Sequence, residues 1–168
     1  MWPQVRAPLA VLSVVANSTG FRFDVTDRES IVTVRGSPPT ELETDSRVIV
    51  LDKQGILRSS YKRAADNTLA EAKKVVRSMG ILGHGTRRPV LVDFRGMKSM
   101  DRDARAYFAG PATAAVVSAT AILVDSSLEK ALGNAFMGMN KPLVPTRLFT
   151  SEAQAMAWLK THLPRSEL

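Results

Sequence analysis

From residue 47 onward the apolar positions switch between a period of two and a helical period, and the switching lays out a series of strands and helices. Val48-Ile49-Val50-Leu51 is a β-branched run, Asp52-Lys53-Gln54-Gly55 is a turn, and residues 56–61 return as the hairpin partner. A helix follows, because Thr68 and Glu71 form a capping box, Leu69, Ala72, Val76 and Met79 share one face, and Gly80 or Gly83 ends it. Its outer side carries Lys73, Lys74 and Arg77. Val90-Leu91-Val92-Asp93-Phe94 is nearly continuous in apolar character after Pro89, the pattern of a central strand covered on both faces. The next helix is predicted to start near Ser99, with Asp101 and Asp103 in its positively polarised first turn, and Gly110-Pro111 is predicted to kink or split it. Ala121-Ile122-Leu123-Val124 is a further buried strand. Ser126 and Glu129 then make a second capping box ahead of an apolar stripe at Leu128, Leu132, Ala135, Phe136 and Met139. Arg147-Leu148-Phe149 reads as a short edge strand, and Ser151 with Gln154 caps a last helix ending around residues 162–164. Strands alternating with helices in this order predict an α/β fold, a mixed and mostly parallel sheet of about five strands with about four helices packed around it.

Before this regular stretch the pattern is weaker. Residues 1–45 read as an N-terminal extension to a domain of residues 46–165, with a strand pair at 21–25 and 31–34 and a linker at Gly36-Ser37-Pro38-Pro39-Thr40. The run at residues 7–16, APLAVLSVVA, has the length of a signal-peptide apolar region, but only Arg6 is positive before it. A cytoplasmic location is expected, with export through residues 1–16 as the alternative. No apolar run approaches the roughly 20 residues that span a bilayer as a helix.

Composition adds three constraints. Of the 168 residues 45% are hydrophobic and 23% charged, which is the balance of a globular chain with a core. The absence of cysteine excludes disulfides, thiolate nucleophiles and cysteine-built metal centres. The net charge of +7 is concentrated in residues 47–105, which hold fourteen basic and six acidic side chains. That field favours anionic partners: an acidic protein surface, phosphorylated ligands, lipid headgroups or nucleic acid. Nucleic acid ranks last, because Tyr61 is the sole aromatic in residues 53–77 and the interleaved rings that stack bases are missing.

The stretch VLVDFRGMKSMDRDAR at residues 90–105 resembles the strand, loop and helix start of STAS domains, the SpoIIAA-like anti-sigma-factor antagonists. Asp93, Met100 and Asp101 match that family's apolar strand, Asp, short loop and Met-Asp-Ser-Ser-Gly step. Phe149-Thr150-Ser151-Glu152-Ala153 and Trp158-Leu159 are similar to the small bacterial SpoIIAA-like proteins labelled STAS or CRAL-TRIO-like. The resemblance covers about residues 46–163 and implies one mixed sheet with helices around it, in agreement with the alternation above. It also implies a regulatory role through protein contact. The chain departs from the pattern where the antagonists carry a phosphorylatable serine, since Arg102, Asp103 and Ala104 stand there, so the usual phospho-switch is not expected.

Candidate chemistry gathers in the same stretch. Asp93, Asp101 and Asp103 are interleaved with Arg95, Lys98, Arg102 and Arg105, the pattern of a paired and solvated surface more than of an acid/base or Mg²⁺ site. His84 lies between glycines in a turn, and His162 sits in a last helical turn. No Gly-x-Ser-x-Gly elbow, dinucleotide fingerprint or Walker A loop is present. In an α/β sheet the strand ends and following helix starts share one edge. Here that edge brings together Arg95, Lys98 and Ser99, then Asp125, Ser126 and Ser127, then Thr150 and Ser151. The expectation is a non-enzymatic regulatory or protein-interaction module without cofactor. It would contact a protein partner through Asp93, Arg95, Lys98, Ser99, Met100, Asp101, Arg102 and Asp103, with Ser126 and Ser127 at the same edge and Met97 adding apolar area. The alternative is a carrier of a small anionic molecule or lipid, with a pocket beside Phe136, Met137 and Met139. A further alternative is a divergent enzyme using Asp93 or Asp101.

Overall fold

The computed structural model describes residues 12–17, 20–25, 32–34, 38–62, 65–95, 97–125, 131, 134, 138 and 141–164. The chain forms two compact units, residues 1–38 and 39–168. In the first, β1 (Leu12–Asn17), β2 (Gly20–Val25) and β3 (Val32–Val34) make an antiparallel sheet in that order. The expected pair is β2 and β3, and the apolar run weighed as an export signal supplies β1, with Leu12 opposite Val25.

The second unit is built on a six-stranded sheet in the order β11-β10-β8-β6-β5-β4. Its strands are β4 (Glu41–Glu43), β5 (Arg47–Leu51), β6 (Leu57–Tyr61), β8 (Arg88–Asp93), β10 (Val117–Leu123) and β11 (Thr146–Phe149). Pairings from β11 to β6 are parallel and those of β5 with β6 and β4 are antiparallel, so the sheet is the mixed α/β one expected. The β5–β6 hairpin closes as its sequence predicts. Gly55 takes the left-handed conformation at φ 78°, and the Asp52 carboxylate accepts from the amides of Gln54 (2.9 Å) and Ile56 (3.0 Å).

Alternation along the central strands divides the core. Val90 and Val92 of β8 and Ile122 of β10 face helices α1 (Leu69–Leu82), α2 (Arg102–Ala109) and α3 (Pro111–Val116), together with Ile49, Leu57, Val75, Met79 and Val117. Leu91, Ala121 and Leu123 face the other way and meet Ala155 and Leu159 of α4 (Glu152–Lys160). Burying β8 on both faces explains its unbroken apolar character. Gly110-Pro111 splits the middle helix as expected, with Pro111 at the first position of α3 where a missing N–H costs nothing. Among the described residues no helix is long and apolar enough to cross a membrane.

Two expectations change. Ser99 does not cap a helix: it lies in β9 (Met97–Met100), which pairs in parallel with β7 (Ala65–Asn67), and α2 begins three residues later behind Asp101. The pair is too short to leave a periodic pattern, and polar contacts across it hold it. Asp66 accepts from Ser99 Oγ and Lys98 Nζ, Asn67 Nδ2 donates to the Ser99 carbonyl (3.3 Å), and the Asp101 amide donates to the Asn67 carbonyl (3.0 Å). Second, the capping box at α1 is half used. Thr68 accepts from the Glu71 amide, but the Glu71 carboxylate turns to Ser46 instead of back to the cap, accepting from its amide (2.8 Å) and hydroxyl (2.7 Å).

That buried carboxylate gives the stability a pH dependence. Burial pushes Glu71 up, but hydrogen bonds from Thr44 and from the hydroxyl and amide of Ser46 outweigh it and hold the pKa below the ordinary value. A lowered native pKa contributes stability that is complete above the unfolded value near 4.5 and is lost as the pH falls through the lowered one. Glu71→Gln is therefore expected to flatten the decline of unfolding free energy below about pH 5, read from urea titrations at several pH values. An unchanged acid limb contradicts this assignment.

Candidate functional site

The surface singled out from the sequence is well formed, and its charges hold one another. Asp93, at the end of β8, is gripped by the Arg95 side chain, whose Nε donates to Oδ1 (2.9 Å) and Nη2 to Oδ2 (2.6 Å). The carboxylate in turn raises the Arg95 pKa further above its ordinary value, with Asp125 and Glu152 adding smaller contributions. Asp125 at the end of β10 and Glu152 at the start of α4 thus share an edge with Arg95, as the parallel topology requires. Ser151 caps α4 through the Gln154 amide (3.5 Å). Lys98 lies 3.3 Å from Asp66, and the Asp66 pKa is lowered by the hydrogen bonds from Ser99 and Lys98.

Asp101 has the most constrained role. One oxygen accepts from the Ala104 amide (2.6 Å) and caps α2, while the other accepts from the Leu69 amide (3.2 Å) and caps α1. A single carboxylate therefore serves two helix N-termini, where its charge also meets both dipoles. Arg105 returns to the Met100 carbonyl (2.8 Å). Arg102 and Asp103 are exposed, and among the described residues neither has a hydrogen bond or ion pair. Met97 and Met100 are not solvated: both are half-buried and pack against the core, so they add less apolar area than their place in the loop implies. Ser126 and Ser127, and the pocket expected beside Phe136, Met137 and Met139, lie outside the described residues.

A residue not picked out from the sequence is buried inside the unit. Arg47, the first residue of β5, is 2% exposed. Strand alternation explains its place, because Arg47 shares a face with Ile49 and stands opposite Tyr61 in the register of β6. The guanidinium lies between two rings, 4.1 Å from the centroid of Tyr61 and 4.9 Å from that of Phe108. Nη1 donates to Ser59 Oγ (3.2 Å), and Nη2 donates to Tyr61 Oη and to Asn67 Oδ1 (3.2 Å). Nε is buried without a partner. No carboxylate forms an ion pair with it among the described residues; Glu71 acts on it from a distance while bonding Ser46. Burial pulls its pKa down, against the opposing pull of Tyr61 and Glu71, yet a guanidinium keeps its proton. The same burial raises the Tyr61 phenol, which stays neutral and can accept.

Arg47 forms part of the wall of a cavity of about 50 Å³. The rest is mostly apolar, with Val92, Phe94, Phe108, Ile122 and Val144 among the lining residues. The signal for this site in the sequence is slight: an arginine in phase with the inward positions of a strand, with Ser59 and Tyr61 in phase on the next. Strand pairing had to be known before the three could be seen as one group.

Together these features define a mixed α/β domain with a self-paired charged edge and a buried cation beside an apolar cavity. Residues 49–163 match the model of a family described as a domain of unknown function, DUF7793, and the chain belongs to that family. Among solved structures it is similar to a protein of unknown function from Arthrobacter sp. FB24. The two are 33% identical over 72% of this chain and 98% of that one, with a TM-score of 0.28. It is also similar to an uncharacterized protein of the DUF3478 family with a SpoIIAA-like fold from Shewanella loihica PV-4. There the identity is 10% over 93% of this chain and 99% of that one, with a TM-score of 0.46. No curated protein matches the sequence.

Proposed function

We propose that the protein is a non-enzymatic regulatory module that works by holding a protein partner on the surface formed by β9, the start of α2 and the adjoining face of α1. The observation that supports this reading is how the carboxylates at the surface are used. Asp93 is held by Arg95, Asp66 by Ser99 and Lys98, and Asp101 caps two helices, so these three serve the architecture and none of the three is left as a free acid or base. What remains is a rigid, charged surface: Arg102 and Asp103 without partners on α2, and exposed Lys73 and Arg77 on α1, which packs against it. Its excess of positive charge suits an acidic partner. The resemblance to anti-sigma-factor antagonists agrees with a role through contact, and Arg102 and Asp103 stand where those proteins have their switch.

The test is purification of the tagged chain at native expression from its own cells, followed by native mass spectrometry. A stoichiometric protein partner is expected, and the double substitution R77E/R102E is expected to release it without lowering Tm, because both side chains are exposed. A chain recovered without a partner, or a partner retained equally by the variant, overturns the reading.

A further inference from the structure

We infer that the cavity beside Arg47 is a binding site for a monocarboxylate no larger than acetate. The inference stands apart from the partner surface, since it rests on other residues. A buried charge is costly unless it is paired, and an interior guanidinium is ordinarily matched by a carboxylate. Arg47 has no such partner among the described residues, and of the five N–H groups of a guanidinium three are bonded, all to neutral oxygens. Tyr61 and Phe108 stabilise the cation through their ring faces but leave its charge uncancelled. An anion with hydrogen-bond acceptors completes both the charge and the unpaired Nε.

The wall sets the rest of the ligand. Val92, Phe94, Ile122 and Val144 offer no hydrogen bonds from their side chains, and of the three threonines in the wall Thr113 and Thr146 already donate to the Tyr107 and Val144 carbonyls, so a group that is charged all round, such as phosphate, would lose most of its hydration there without replacement. A carboxylate has one charged end and can present carbon to the remaining wall. The cavity of about 50 Å³ has room for about two waters, which a carboxylate carrying no more than one tail carbon replaces. Five of its lining residues, Met100, Phe108, Thr120, Pro142 and Thr146, are only half-buried, so the wall reaches the surface and gives a small molecule a way in.

Sodium acetate is the probe, added to the full chain while Tm and backbone amide NMR shifts are followed. Saturable one-to-one binding with a Kd of about 1 mM is expected, with the largest shifts in β5, β6 and β10. Acetamide, equal in shape but uncharged, is expected to bind at least about tenfold more weakly, and inorganic phosphate to produce no saturable change. Arg47→Met removes the charge, and Val144→Phe fills the cavity while leaving Arg47 in place; both are expected to abolish binding. If Arg47→Met does not fold, the amide comparison and Val144→Phe still decide. No saturable response to acetate, an equal response to acetamide, or binding retained in folded Val144→Phe overturns the proposal.

Discussion

Arg47→Ala is expected to lower the unfolding free energy by about 3 kcal/mol, a fall in Tm of about 6–12 °C, whereas Arg47→Met costs about 1 kcal/mol or less. The alanine change removes a large side chain from a site 2% exposed and joins the space it leaves to the existing cavity. It also strips Ser59, Tyr61 and Asn67 of the donors they accept from, so buried oxygens lose partners. Methionine restores most of the volume and removes the cost of keeping a charge out of water, which offsets the lost hydrogen bonds. Urea denaturation of the three proteins measures the difference. Equal losses for Ala and Met show that the hydrogen bonds and ring contacts of the guanidinium are what the fold needs. A near-neutral Met variant shows that the charge itself is dispensable for folding, as expected of a group held for recognition.

Asp101→Ala is expected to cost about 2 kcal/mol, close to the sum of two lost caps and their favourable dipole contacts, while Asp101→Asn costs less than about 1 kcal/mol. An asparagine oxygen accepts from an amide as well as aspartate does at an N-cap, so the Ala104 bond survives the change. Amide hydrogen exchange adds a second reading, because Asp101 reaches both α1 and α2. The first-turn amides Leu69 and Ala104 should lose protection together in Asp101→Ala. Loss at Ala104 alone removes the shared-cap role. The pair of substitutions also separates architecture from chemistry: a capping carboxylate tolerates Asn, whereas a general acid or base does not.

The course of the chain from β5 to α4 was legible wherever the pattern ran long enough to average over. The β5–β6 hairpin carries its own turn residues, β8 its apolar run, and Gly110-Pro111 its helix break, each a local preference that tertiary contacts reinforce. The β7–β9 pair was not legible, because its strands of three and four residues are held by contacts between Asp66 and Ser99 that lie far apart along the chain. Glu71 shows the same limit within a motif. Its spacing from Thr68 announces a reciprocal cap, yet Ser46, brought alongside by the sheet, offers the carboxylate two donors in a buried place.

The candidate sites divide along that line. By itself the sequence determined that Asp93, Arg95, Lys98 and Asp101 follow one another closely where a buried apolar strand ends. Only the tertiary structure decided what those residues do, since capping, ion pairing and burial depend on partners that arrive from other elements. It alone decided the place of Arg47. An arginine at a strand start is ordinarily solvated; here the register with Tyr61 and the packing of α2 put Phe108 over it and leave it 2% exposed. Burial is a property of everything around a residue, and no local pattern encodes it.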